Sequence, residues 1–90
     1  MTEKFPEREI LLDSTRLYNS LGPVLSKGEL EVLALYIRGY KTRDIARMRN
    51  TTKPTISTQL RRLRQKLHVN SDVELVAICM DEDIIKVADV

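Results

Sequence analysis

The chain has 90 residues, of which 15 are Lys or Arg and 13 are Asp or Glu, so its formal net charge is only +2. This length leaves room for one compact domain with a small core, which weakly favours an oligomer. No run is long and apolar enough to span a membrane, the N-terminus lacks the apolar stretch of a secretory signal, and a single cysteine cannot form an internal disulfide. We therefore expect a cytoplasmic protein.

The charges are distributed unevenly along the chain. Ten of the 15 basic residues lie between Arg38 and Lys66, where the only acidic residue is Asp44. From Asn70 onward six acids stand against one basic residue, Lys86. A basic face of this kind is typical of proteins that bind polyanions, and the acidic end is expected to point away from it.

The N-terminal segment, residues 1–24, is predicted to form a helical arm. Pro6 suits a first helical position, several apolar residues follow between Ile10 and Leu21, and Gly22-Pro23 is a stop signal. Because these apolar residues are only loosely periodic, the arm is expected to pack on the body of the domain or on a second subunit.

Two helices are predicted between residues 26 and 50. The first begins with Ser26 and Glu29, whose side chains can form a capping box, and ends before Gly39, where a left-handed cap is expected. Its apolar stripe consists of Leu30, Leu33, Ala34 and Ile37. The second helix is short and has Thr42 as its predicted N-cap. Its inward residues are expected to be Ile45, Ala46 and Met48.

Two more helices are predicted after residue 50. The longer one covers residues 53–67, with Thr52 as N-cap and Pro54 in the first turn. Its apolar residues form one narrow stripe: Ile56, Leu60, Leu63 and Leu67. The last helix opens with a second capping box at residues 71–74, and its body at residues 75–80 is apolar on all sides. We expect the side that the core does not cover to meet another subunit.

The short helix and the longer helix that follows it have the pattern of a helix-turn-helix, in which the second helix lies in the major groove of DNA. The outward side chains of that second helix include no acid: Lys53, Thr55, Ser57, Thr58, Arg61, Arg62, Arg64 and Gln65. A solvated helix face normally mixes charges of both signs. The like charges of the three arginines repel each other, which suggests compensation by an external anion.

Five parts of the sequence resemble the LuxR/GerE-type DNA-binding domain of bacterial transcription regulators. They are LSKGELEVL at residues 25–33, Gly39, DIA at 44–46, KPTIS at 53–57 and KLHV at 66–69. The form TISTQ at residues 55–59 is most similar to the enterobacterial capsule-regulator branch. The resemblance implies a four-helix domain in residues 25–90. Together with the N-terminal helix predicted above for residues 1–24, this gives an all-α fold. The resemblance also implies a dimer formed through the last helix.

The resemblance further implies roles for individual residues. Ser57, Thr58 and Arg61 fall where the family reads base edges, and an arginine can donate two hydrogen bonds to guanine. The positions at or near the family's backbone contacts are Lys41, Thr42, Thr52, Lys53, Thr55, Gln59, Arg62 and Lys66. The dimer interface is expected to include Val73, Val76, Ala77 and Met80.

Four positions depart from the family pattern, one of which is Gly28, which weakens the first turn of its helix by about 1 kcal/mol relative to alanine. Arg49 and Thr51 stand where apolar residues are usual, so either the turn is less tightly buried or Arg49 bends out toward phosphate. His68 replaces the usual glycine after the recognition helix, where a left-handed backbone is often needed. Histidine adopts that conformation more readily than most residues.

No enzyme activity, cofactor or metal is expected. The single histidine and the single cysteine leave no nucleophile and base set and no cluster of metal ligands. Cys79 stands in an apolar run, which is typical of a small core residue.

Two functions remain open. The first is a sequence-specific transcription regulator, associated with the nucleoid, that binds double-stranded DNA as a homodimer with its recognition helices about 34 Å apart. The second is an interaction module that forms a heterodimer, through residues 72–80, with a larger LuxR-type regulator and modulates it. A sigma-factor-like domain is disfavoured, because such a domain normally ends near the recognition helix.

Overall fold

The computed structural model describes residues 8–89, and the side chains of residues 10–87. The elements in chain order are strand β1 (Arg8–Leu12), helices α1 (Ser14–Leu21), α2 (Lys27–Ile37), α3 (Thr42–Met48), α4 (Lys53–Lys66) and α5 (Asp72–Asp81), and strand β2 (Ile85–Asp89). The described chain is mostly helical, which confirms the predicted four-helix domain with one additional N-terminal helix. None of the helices within residues 8–89 has the length and apolar character needed to cross a bilayer.

The starts of α2 and α4 agree with the predicted caps. Ser26 Oγ accepts the N–H of Glu29, and Glu29 Oε1 accepts the N–H of Ser26, which completes the capping box. Thr52 Oγ1 accepts the N–H of Thr55, and Pro54 lies in the first turn of α4. These bonds satisfy N–H groups that have no partner within the helix.

The starts of α3 and α5 differ in detail from the prediction. Lys41, not Thr42, is the N-cap of α3, and it makes no side-chain cap bond because a lysine side chain has no acceptor. At α5 the Ser71 hydroxyl accepts the N–H of Glu74, as expected. Glu74 Oε1, however, accepts the N–H of Asn70, so this cap is not reciprocal.

Residues 8–12 form a strand, so the prediction of a helix through this segment is wrong. β1 pairs in antiparallel fashion with β2, with Ile10 opposite Val87 and Leu12 opposite Ile85. Residues before Arg8 lie outside the described residues. The two strands stand at opposite ends of the chain, so no pattern within either one shows that they pair.

One cluster of buried side chains joins α1 to the rest of the chain. It includes Leu17 and Leu21 of α1 together with residues of every other helix and of β2. The N-terminal helix therefore packs on the body of the domain, which was one of the two expectations. The division of the chain at residue 24 stays a prediction.

Met48 is 50% exposed, so its predicted inward position is wrong. The buried residues of α3 are Ile45 and Ala46. At 3.6 residues per turn, Met48 lies about 110° around the helix from the midpoint of these two. A helix of seven residues buries only one narrow side, and Met48 falls outside it.

Left-handed backbone conformations follow two of the helices at the predicted positions. Gly39 has φ 103° after α2, and His68 has φ 58° after α4. Two further residues have positive φ: Asn50 at 55°, in the turn between α3 and α4, and Asp83 at 57°, after α5. These residues turn the chain sharply, so consecutive elements can share one core.

Cys79 is fully buried in α5, and burial raises the pKa of its thiol to about 11. Because the thiolate is the reactive form, we expect a disulfide reagent at about pH 8 to modify the native protein far more slowly than the urea-unfolded protein. The absorbance of the released thiol measures both rates. Equal rates in the two states would show that Cys79 is accessible in the native fold.

Candidate nucleic-acid interface

Helix α4 has one buried side and one open side. Ile56, Leu60 and Leu63 are 0%, 4% and 0% exposed, as the apolar stripe predicts. Leu67, the last residue of the predicted stripe, caps the helix and is half-buried. The core therefore holds the helix along one side, and its polar residues are turned outward.

The three predicted base-reading residues lie together on α4. Ser57 and Arg61 are exposed, and Thr58 is half-buried. Helical geometry places Thr58 and Arg61 within about 60° of the direction opposite the buried stripe, and Ser57 on its flank. Arg61 lies one turn from both of the others, so the three side chains form one continuous surface on α4.

Five of the predicted backbone-contact residues lie at the starts of α3 and α4. Lys41 and Thr42 begin α3, where Lys41 is exposed and Thr42 half-buried. The other three, at the start of α4, are all exposed: Thr52, Lys53 and Thr55. The N-terminus of a helix carries partial positive charge and unpaired N–H groups, which favour phosphate.

The other predicted backbone-contact residues differ in their surroundings. Arg62 is exposed on the open side of α4, whereas Gln59 is half-buried toward α2. A Cβ atom at Gly28 would lie 3.7 Å from Gln59 Nε2. The first turn of α2 therefore lies beside Gln59, which leaves this side chain less open to a ligand than Arg62.

Two cations of α4 are paired with carboxylates of neighbouring helices. Lys66 Nζ lies 2.8 Å from Glu29 Oε1, and Arg64 Nη1 lies 3.6 Å from Asp72 Oδ1. Asp72 also accepts a hydrogen bond of 2.6 Å from the Tyr36 hydroxyl. The expectation that an external anion compensates all three arginines is therefore wrong for Arg64, because Asp72 supplies the compensation.

The other three cations of α4 are exposed and have no carboxylate partner within the described residues. Lys53, Arg61 and Arg62 form no ion pair with any residue among those that the structure describes. All three are exposed. Arg61 and Arg62 on the open side, with Lys53 in the first turn, give the exposed surface of α4 a positive potential that no acid among residues 10–87 offsets within ion-pair distance.

The pKa of Glu29 reflects its contacts. Burial raises this pKa, but hydrogen bonds from Lys66 and Ser26 and the charge of Lys66 lower it more, so it lies below its ordinary value. Glu29 is 5% exposed. It therefore stays ionised inside the domain, next to the lysine at the end of α4.

Arg49 turns back to α2 and does not extend toward solvent. Its Nη1 atom lies 2.6 Å from Glu31 Oε1, and its side chain is 27% exposed. This hydrogen bond is the main reason why the pKa of Glu31 is lowered. The sequence analysis did not identify Glu29 and Glu31 as the ion-pair partners of Lys66 and Arg49. The available signal was their place in an otherwise largely apolar helix.

The predicted dimer residues form an open apolar face on α5. Val73, Val76 and Met80 are 79%, 37% and 48% exposed, and Ala77 is also exposed. Their spacing of three and four residues puts them on one side of the helix. Leu75 and Cys79 occupy the other side and are fully buried.

The tyrosine that bonds Asp72 is protonated over the whole neutral range. Burial raises the pKa of Tyr36, and the hydrogen bond to Asp72 and the charge of that carboxylate raise it further. The hydroxyl therefore remains a donor to the first residue of α5. Through Asp72, α2 and α4 are both in contact with the start of α5.

The comparisons with known proteins agree with this geometry. The GerE model of the luxR family of bacterial regulatory proteins matches residues 23–79. YuaB of Escherichia coli K12, an uncharacterised HTH-type transcriptional regulator, is 36% identical over 66 residues, which make up 72% of this chain and 19% of that protein. BvgA of Bordetella pertussis, named as a positive transcription regulator of virulence factors, is 41% identical over 64 residues, or 71% of this chain and 31% of that protein.

The chain thus spans less than a third of the length of either relative. No solved structure matches it. The match to the family model nevertheless covers more than half of the chain, including all of α2, α3 and α4. The chain therefore belongs to the luxR family of bacterial regulatory proteins.

Proposed function

We propose that the protein is a transcription regulator, not an enzyme, that binds double-stranded DNA with α4 in the major groove. The observation that carries this proposal is the exposed surface of α4, where Arg61 and Arg62 on the open side and Lys53 in the first turn are exposed and unpaired within the described residues. A surface of this charge is typical of a polyanion-binding site. Membership of a family of regulatory proteins, and the names of YuaB and BvgA, support the same function.

The proposed contacts divide into two kinds. Ser57, Thr58 and Arg61 contact base edges. The Arg61 guanidinium donates two parallel hydrogen bonds to one guanine. Phosphate contacts, which supply most of the affinity but no sequence information, come from seven residues: Lys41, Thr42, Thr52, Lys53, Thr55, Gln59 and Arg62. The sequence also suggested Lys66 as a phosphate contact. We leave it out of this set because its ammonium group is paired with the Glu29 carboxylate.

We also propose that the active form is a homodimer joined through α5. The exposed face formed by Val73, Val76, Ala77 and Met80 supports this proposal, because a dimer would remove these side chains from water. A heterodimer with a larger LuxR-type regulator, the alternative, uses the same face. Because its proposed partner is DNA, we propose that the protein lies in the cytoplasm, associated with the nucleoid. Similarity to the capsule-regulator branch stays a prediction, which YuaB and BvgA do not support.

Selection of bound duplexes from a random pool tests the function. The purified protein is mixed with the pool, bound duplexes are sequenced over several rounds, and the mass of the complex is measured by light scattering. We expect a consensus with two half-sites and a complex of two chains on one duplex. Absence of enrichment, together with no complex at low salt, would contradict DNA binding.

The dimer proposal predicts the effect of a charge on α5. Val73→Asp places a carboxylate on the open apolar face, where a partner would bury it without a countercharge. We expect the variant to be monomeric and to bind the two half-site duplex at least roughly tenfold more weakly, which corresponds to about 1.4 kcal/mol. Analytical ultracentrifugation and fluorescence anisotropy measure the two effects.

Val24→Asp is the matched control, because Val24 is also a valine exposed to solvent, at 47%, but lies in the turn between α1 and α2 and is not part of the α5 face. It should leave both the mass and the affinity unchanged. A wild-type protein that is monomeric on its own would contradict the homodimer and favour the heterodimer.

A further inference from the structure

The C-terminal turn of α4 is held between two neighbouring helices. Lys66 reaches Glu29 of α2, and Arg64 reaches Asp72 of α5. The two cations point about 160° apart around the helix, so they hold it from opposite flanks. The three cations that have no ion pair within the described residues, Lys53, Arg61 and Arg62, all precede them in the sequence.

The pair on the α2 side is the tighter of the two. Lys66 Nζ lies 2.8 Å from the carboxylate, and the Glu29 side chain is only 7% exposed. The same oxygen, Oε1, also accepts the N–H of Ser26 at 2.9 Å. The carboxylate is therefore built into the start of α2 and cannot follow the lysine outward without breaking the capping box.

The energetics of a buried carboxylate decide where the lysine stays. If Lys66 turned to a DNA phosphate, Glu29 would remain buried without its countercharge, which is strongly unfavourable. A phosphate brought close to Glu29 would also meet a negative charge. The positive charge of Lys66 therefore compensates the Glu29 carboxylate and does not contribute to phosphate binding.

We infer that Glu29 is a positioning residue of the DNA-binding surface: it holds Lys66 against α2 and neutralises its charge, so that among the cations of α4 only Lys53 and Arg62 bind phosphate. This inference rests on the proposed function. It replaces the sequence-based assignment of Lys66 to a backbone contact. It also agrees with the general geometry of the helix-turn-helix, in which the N-terminal residues of the recognition helix reach the bases.

The dependence of DNA affinity on salt tests the inference directly. Each phosphate that a cation neutralises contributes about 0.9 to the slope of log Kobs against log salt concentration. Fluorescence anisotropy gives this slope for each full-length variant on one labelled duplex. We expect Lys53→Gln to reduce the slope by about 0.9 and Lys66→Gln to leave it unchanged.

Removal of the glutamate charge should have the opposite effect. Glu29→Gln keeps an oxygen that accepts the Ser26 N–H but releases the charge of Lys66. We expect its slope to rise by about 0.9, and Lys66→Gln in that background to remove the gain. A purely structural role of Glu29 would not make the slope depend on Lys66 in this way. Circular dichroism establishes that each variant is folded.

A Lys66→Gln slope reduced as much as that of Lys53→Gln would overturn the inference and leave the proposed function intact. An unchanged slope for a folded Glu29→Gln protein would overturn it as well. If Glu29→Gln or Lys66→Gln alone does not fold, the double variant Glu29→Gln/Lys66→Gln decides, because it leaves no buried charge unpaired: a slope equal to that of the wild type supports the inference, and a slope reduced by about 0.9 overturns it. A wild-type protein that binds no duplex at low salt would overturn the proposed function, and the inference with it.

Discussion

Replacement of Arg61 by alanine is expected to relax the preference at one base pair by about 1–3 kcal/mol, or roughly 5- to 150-fold. Arg61 is exposed, lies on the open side of α4 and pairs with no acid in the described part of the chain. Its guanidinium group can therefore donate two hydrogen bonds to guanine without leaving a carboxylate unpaired. The loss should fall on the cognate duplex and spare unrelated sequences.

Lys53→Ala provides the comparison, because Lys53 is also an exposed cation but stands at the start of α4. Its loss should weaken binding to every duplex alike. Anisotropy titrations at one salt concentration, on the selected duplex, on single-base-pair variants of it and on a random duplex, separate the two effects. Equal losses on cognate and random duplexes for both variants would contradict the assignment of Arg61 to a base.

Leu63→Ala is expected to destabilise the native state by about 2–5 kcal/mol. Leu63 is 0% exposed and lies in the core directly behind the arginines of α4. The substitution removes buried apolar surface and leaves a cavity that the neighbouring helices fill only in part. Small domains have a total stability of about 5–15 kcal/mol, so this one change removes a large part of it.

Urea denaturation followed by circular dichroism measures the loss, and the thermal midpoint should fall by roughly 4–8 °C for each kcal/mol. Gln65→Ala is the control, because this exposed residue lies two positions away on the same helix and should change the stability by no more than about 0.5 kcal/mol. A loss below about 1 kcal/mol for Leu63→Ala would show that this part of the core is loosely packed.

Sequence alone determined the boundaries of α2 and α4 and the buried side of α4, because these features depend only on residues a few positions apart in the chain. The capping box of Ser26 and Glu29, the cap at Thr52 and the stripe of Ile56, Leu60 and Leu63 placed α2 and α4 to within a residue or two. Caps and helical periodicity act over three or four residues, so they can be read from a short segment. The open side of α4 follows from the same stripe.

Tertiary structure decided the features that join distant residues. Residues 8–12 contain apolar side chains that suit a helix or a strand, and pairing with β2 at the other end of the chain made them a strand. Glu29 and Lys66 are 37 positions apart, and only the packing of α2 against α4 brings them together. Sequence thus showed how many cations α4 carries. The fold determined which of them are already paired, because pairing depends on distances between helices that no local pattern contains.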